Sequence, residues 1–407
     1  MREKIRASER WFCAICWLVY FVSYLARVNF AAVIAEIVVS EGIAKSALGA
    51  VATASFVSYG TGQIVSGILG DKINEKTLIL SGLAATAVLN VLMPVCGSAS
   101  KMAVVWCLNG FAQSLFWPPL CKIMSERLSP QRCKKAVVDV SIACAAATIC
   151  VYMLSPLCIM LFGWRSVFFI GAGAALCMAA LWSFGIEKKS EKTNNVKTEI
   201  SDRTEIPLKT VLMASGLIPI CIAAVLHGML KEGITTWMPT LINESFDIGA
   251  KISILTAVVL PIFTILSLRI FAYLHKRFFK DEVSFATGIF LAGLIFCVLM
   301  AAFYKDNIFA AVILSALISG CMHGINLMIV NMVPLRFGKV GRVSTMTGLL
   351  NASTYVGCAV STYGFAAVSE LFGWDSVIAM WCAVTFFGAV TLFLVRRKWK
   401  KFKKEFM

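Results

Sequence analysis

The chain has 407 residues, 59% of them hydrophobic and only 15% charged, with a mean hydropathy of +0.82. That composition excludes an ordinary water-soluble protein: the charges fall in clusters between long apolar runs, which is the pattern of a polytopic helical membrane protein. The net charge of +16 needs no nucleic acid to explain it, because Lys and Arg act as an orientation signal and meet anionic lipid headgroups.

Twelve apolar segments follow in order: 11–39, 47–69, 77–97, 101–124, 136–162, 166–186, 211–242, 251–274, 283–303, 307–335, 343–370 and 376–396. The expected fold class is an all-α membrane protein of twelve transmembrane helices in two six-helix halves. The even number puts both termini on one side. The N-terminus, the even-to-odd loops and the C-terminus carry 31 of the 38 Lys and Arg residues. The opposite loops carry five, namely Lys45, Lys101, Arg165, Lys251 and Lys305. This asymmetry predicts a multi-pass protein of the cell (plasma or inner) membrane with both termini cytoplasmic. The basic tail Arg396 to Lys404 is expected to lie against lipid headgroups. Segment 11–39 is too long for a signal-peptide core and is expected to stay as an anchor.

Arg27 sits inside the first segment. At about 1.5 Å per residue it lies roughly 24 Å along its helix, near the bilayer centre. A cation there costs about 2.5–3.5 kcal/mol even on the mild insertion scale, and such residues normally serve function. Tyr20, Tyr24 and Arg27 share one helix face by spacing. Two phenols and a guanidinium fork suit a phosphate or carboxylate. In the second segment Tyr59 and Gln63 share a face, and Gly67-Ile68-Leu69-Gly70-Asp71-Lys72 forms a loop in which Asp71 can take a helix end or a charge. In the fourth segment Asn109, Gln113 and Trp117 share a face just before Pro118-Pro119, which predicts a kink.

The polar stretch 187–210 is expected to be a cytoplasmic linker. The seventh segment then carries Lys231, 204 residues after Arg27. His227 lies one turn before it and Thr235 one turn after. Glu232 beside it is a second costly charge, open to three roles: offsetting Lys231, proton coupling, or pairing with another helix. His323, Asn326 and Asn331 in segment ten, with Asn351 and Tyr355 in segment eleven, add polar groups.

The halves repeat. Phe162-Gly163-Trp164-Arg165-Ser166-Val167 returns as Phe372-Gly373-Trp374-Asp375-Ser376-Val377, offset by 210. The expected organisation is therefore a half at 1–186, the linker at 187–210 and a half at 211–407. Parallel six-helix repeats match a known transporter architecture. The chain holds no GxxxxGK[ST] loop, no HExxH and no paired metal-ligand motif, so neither an enzyme, a cofactor nor a bound metal is expected.

Tyr24-Leu25-Ala26-Arg27-Val28-Asn29-Phe30 resembles the organophosphate:phosphate antiporter family of the major facilitator superfamily, which includes glycerol-3-phosphate and hexose-phosphate transporters. Ser58-Tyr59-Gly60, Phe111-x-Gln113 with Trp117-Pro118-Pro119, Lys231-x-Gly233-Ile234 with Trp237-x-Pro239, Thr347-Gly348-Leu349 and Phe372-Gly373-Trp374-Asp375 extend the likeness along nearly the whole chain. The resemblance implies a phosphate site made by two cations, with Arg27 as the first and Lys231 where the family carries a second arginine. It further implies substrate contacts at Tyr20, Tyr24, Tyr59 and Gln113. The chain departs from the family at Ser141-Ile142-Ala143-Cys144, where a histidine is missing. It departs again at Gln63, where glycerol-phosphate members have lysine, and at Gly228, where a tyrosine stands. Tyr-Leu-x-Arg-Val-Asn is also similar to organic-anion:cation symporters.

The expected function is exchange of a small organic phosphate for inorganic phosphate by a functional monomer. The expected substrate-binding residues are Arg27, Lys231, Tyr20, Tyr24, Tyr59, Gln63, Gln113 and His227, with Glu232 for coupling. The alternatives are a proton-coupled carboxylate symporter and a transporter-derived sensor of sugar phosphate.

Overall fold

A computed structural model describes residues 2–186, 214–247, 259–279 and 281–406. The expected linker 187–210 lies outside the described residues, as does the start of the eighth segment. The first half consists of α1 (Arg2–Glu41), α2 (Lys45–Lys72), α3 (Glu75–Leu92), α4 (Ala99–Ser114), α5 (Trp117–Arg127), α6 (Pro130–Phe162) and α7 (Arg165–Gly185). The second consists of α8 (Leu217–Phe246), α9 (Val259–Phe278), α10 (Glu282–Phe303), α11 (Ile308–Ile325) and α12 (Val343–Phe406). Among the described residues, nine helical stretches are long and apolar enough to cross a membrane, and one of them is a 63-residue run from Val343 to Glu405.

Two breaks reconcile these helices with twelve segments. The fourth segment divides into α4 and α5, with Pro118 and Pro119 in the first turn of α5. Proline is tolerated there because the first N–H groups of a helix have no intrahelical partner. The long α12 bends at Gly373, where φ is 76° and ψ 175°. Gly163, the matching glycine of the first half, has φ 77° and ψ 166° between α6 and α7. Only glycine adopts that region readily, so the repeated Phe-Gly-Trp motif repeats a backbone geometry.

The repeat also makes a matching clasp in each half. Trp164 Nε1 donates to Glu41 Oε1 at 3.2 Å, and Trp374 Nε1 to Glu244 Oε2 at 2.7 Å. The following residue differs in sign and finds a partner to match. Arg165 pairs with Glu41 at 2.9 Å and donates to Pro94 O at 3.1 Å. Asp375 accepts from Tyr304 and Lys305, both at 2.6 Å. Each clasp ties the end of the half's first helix to the turn before its last. In the first half it lies beside a buried apolar cluster of Phe30, Ile37, Trp106 and Phe168, with Trp106 and Phe168 edge to face at 5.7 Å.

By compactness the chain divides into one unit of Met1–Ile206 with Phe337–Gly348, and another of Pro207–Arg336 with Leu349–Met407. In the first unit α1 packs on α6 and α7, α2 on α4, and α3 on α7. Asp71, at the end of α2, accepts the backbone N–H groups of Ser344 at 3.0 Å and Thr345 at 2.8 Å. It thereby caps the otherwise unsatisfied start of α12. In the second unit α11 packs against α8, α9 and α10. After Ile325 the chain runs on as a π-helical segment, Asn326–Met332.

The basic tail is not wholly turned to lipid, contrary to expectation. Trp399 and Phe402 are buried. Lys403 pairs with Asp281 at 2.9 Å and Glu282 at 3.5 Å. Glu282 is fully buried and also pairs with Arg336. Burial alone would raise the Asp281 carboxyl, but hydrogen bonds from Lys403 and Ser284 outweigh it and hold the group below the usual carboxylate range. Arg397, Lys398, Lys400, Lys401 and Lys404 stay exposed.

Candidate substrate site

The first half gathers its predicted residues around Arg27. The α1 turn spacing puts Tyr20 and Tyr24 side by side, ring centroids 5.1 Å apart. Tyr20 continues onto Trp117 of α5 at 4.8 Å, so the Trp-Pro-Pro kink doubles as a wall for the α1 tyrosines. The Arg27 guanidinium lies 3.8 Å from the centroid of Tyr59 on α2, 5.4 Å from Tyr24 and 6.0 Å from Phe56. Aromatic faces suit a delocalised, weakly hydrated cation.

The two glutamines point into helix contacts. Gln63 is fully buried, with Nε2 3.5 Å from Ser114 O, and its Oε1 is buried with no hydrogen-bond partner among the described residues. Gln113 donates from Nε2 to Thr86 Oγ1 at 3.3 Å. Thr86 and Asn90, one turn apart on α3, were not among the expected site residues. Their signal was a pair of polar side chains at helical spacing inside an apolar segment.

The second half is built around Lys231. Its Nζ lies 6.0 Å from the Tyr355 ring of α12. His227 is fully buried, with Nδ1 2.8 Å from Ala224 O and Nε2 3.2 Å from the Asn326 side chain. Asn326 opens the π-helical segment, a feature that often marks a functional position. His323 follows the same rule one turn earlier, with Nδ1 on Ser319 O at 2.9 Å and Nε2 3.5 Å from Thr264 Oγ1. Glu232 is half-buried and accepts from Thr236 at 3.5 Å. Adjacent helix positions diverge by about 100°, which turns its carboxylate away from the Lys231 face.

Each half therefore presents one cation, set among aromatic or imidazole groups, from the middle of its first helix. Residues 16–362 match the Major Facilitator Superfamily. The chain belongs to that superfamily. It is a multi-pass membrane protein built as a secondary transporter. The glycerol-3-phosphate transporter of Bacillus subtilis is 27% identical over 390 residues, covering 88% of this chain and 85% of that one. The membrane sensor protein UhpC of Escherichia coli is 35% identical over 105 residues, 26% of this chain and 24% of that protein. A crystal structure of the transporter FucP in the outward conformation superposes with a TM-score of 0.69 at 13% identity, covering 93% of this chain and 98% of that one. At that identity the likeness concerns the fold alone. Over most of its length the chain is thus similar to a protein named for glycerol-3-phosphate transport.

Proposed function

We propose that the protein exchanges a small organic phosphate ester for inorganic phosphate by alternating access. Arg27 is the observation that carries this reading: a guanidinium in the middle of α1, its carbon 3.8 Å from the centroid of the Tyr59 ring. Phosphate carries about −1.5 to −2 charges near neutral pH. It would take bidentate hydrogen bonds from Arg27 and a point charge from Lys231, one cation contributed by each half. Tyr20, Tyr24, Tyr59, Gln63, Gln113 and His227 would shape and orient the site. A doubly charged anion offsets two half-buried cations better in one conformation than in another, and only such differential binding shifts a conformational balance. Obligatory exchange follows from that dependence. The glycerol-3-phosphate transporter among the relatives supports the substrate class. The expected setting is a plasma or inner membrane, with the protein acting as a monomer.

The test is counterflow in phosphate-loaded proteoliposomes, with labelled sugar phosphates set against sugar acids. Uptake of a sugar phosphate that requires internal phosphate is the expected result. Arg27→Ala and Lys231→Ala each lose at least about 100-fold in kcat/KM, the scale of two lost charge-assisted hydrogen bonds, while Lys231→Arg retains exchange. Full activity in Lys231→Ala sinks the two-cation scheme.

A second reading rests on the half-buried Glu232 beside Lys231. It is proton-coupled uptake of an organic carboxylate, with Glu232 carrying the proton. Uptake without internal phosphate that collapses with a protonophore, and is lost in Glu232→Gln, identifies it. Absence of any transport by purified protein in liposomes points instead to a sensor, the role named for one relative.

A further inference from the structure

The turn of α1 that holds Arg27 has an unusual set of hydrogen-bond partners. In an α-helix the carbonyl of residue 26 bonds to the N–H of residue 30. Here both ends of that bond have side-chain partners. Ala26 O accepts from Asn90 Nδ2 at 3.1 Å and from Asn109 Nδ2 at 3.3 Å. Phe30 N–H donates to Asn29 Oδ1 at 2.9 Å. Asn29 Nδ2 then donates to Asn90 Oδ1 at 2.7 Å, and Asn90 donates its second hydrogen to Thr86 O at 2.9 Å. Asn29, Asn90 and Asn109 are at most 1% exposed.

Arg27 is the first residue inside the turn these amides grip. A carbonyl oxygen has two lone pairs, and here α3 and α4 each supply a donor to it. The direction in which Arg27 leaves the backbone is therefore set by two other helices as well as by α1. In a low-dielectric interior these bonds are strong and costly to break. Gly171 of α7 closes the cluster from the fourth side: a Cβ there would come 3.0 Å from Asn29 Nδ2 and 3.2 Å from Asn90 Oδ1.

We infer that Asn29, Asn90 and Asn109 form an amide cage that aims the Arg27 guanidinium, with Asn90 and Asn109 as positioning residues for anion binding. This deepens the transport reading and rests on it for the word binding. The positioning of Arg27 stands by itself and is tested separately. Helix–helix adhesion, the ordinary use of buried asparagine, predicts a loss of folded protein but no selective effect on Arg27.

The experiment measures phenylglyoxal modification of Arg27 by peptide mass spectrometry in the purified full-length protein, with Arg165 as internal reference. Asn90→Leu and Asn109→Leu keep side-chain volume but donate nothing. Each is expected to change the Arg27 rate at least about threefold relative to Arg165. Gly171→Ala removes no polar group and is expected to shift the rate in the same sense, so the inference stays testable if either leucine variant fails to fold. An Arg27 rate equal to wild type in the folded variants overturns the cage. Counterflow of inorganic phosphate supplies the second readout: KM rises about 3- to 30-fold with Vmax changed less. An equal fall in Vmax alone, with the Arg27 rate unmoved, assigns the asparagines to adhesion. A shifted Arg27 rate in protein whose wild type shows no counterflow upholds the cage and removes the transport reading.

Discussion

At the scale of single residues, Arg27 lies among the aromatic faces of Tyr24, Phe56 and Tyr59. Tyr59 contributes a ring at 3.8 Å, and cation–π contact is worth about 0.5–2 kcal/mol according to how far it is desolvated. Tyr59→Phe keeps the ring and is expected to leave substrate KM within about twofold. Tyr59→Leu removes it and is expected to raise KM about 2- to 30-fold in the counterflow assay. The Tyr20–Tyr24–Arg27 face was legible because its contacts are local and obey helical period. The directions taken by Gln63, Gln113 and His227 were not legible. Their polar character was plain, but their partners Ser114, Thr86 and Asn326 come from other turns or helices. A sequence does not say which of two available neighbours a buried amide will choose.

At the scale of elements, the repeat visible in the sequence becomes a repeated clasp. What the sequence did not announce was the partner, Glu41 in one half and Glu244 in the other. Both close the first helix of their half, 203 residues apart, which is a signal visible only once the tryptophans are known to need acceptors. Trp164→Phe and Trp374→Phe are expected to cost about 0.5–2 kcal/mol each, because they leave a carboxylate short of one donor. Matched drops in melting temperature for the two variants check the symmetry.

The tail contact in the second half makes a pH-dependent case. Asp281 has its carboxyl held below the usual range by Lys403 and Ser284. A depressed carboxylate contributes stability that is fully present above its unfolded value of about 3.9 and is lost as pH falls through the folded value. Lys403→Ala is therefore expected to lower the melting temperature at pH 7, by an amount equivalent to about 1–3 kcal/mol. The gap between variant and wild type should close as the pH drops below about 4. A gap that persists unchanged in acid rules out this ion pair as its source.

At the scale of the whole molecule, the distribution of Lys and Arg predicts which way the chain runs. A fluorescent-protein fusion at the C-terminus is expected to be bright, and an alkaline-phosphatase fusion there inactive. The reverse pattern overturns the cytoplasmic assignment of the termini. The composition, the apolar segments and the twofold motif by themselves determined a helical membrane protein of two repeated halves, because span length and hydropathy are properties of contiguous sequence. They also determined that one cation per half sits where water is scarce. The tertiary structure decided what surrounds those cations: the Tyr59 ring near Arg27, the Tyr355 ring near Lys231, and the asparagines that grip the Arg27 turn. It also decided that Trp399, Phe402 and Lys403 of the basic tail turn inward. Those are contacts between residues far apart in the chain, and packing geometry, not local pattern, selects them.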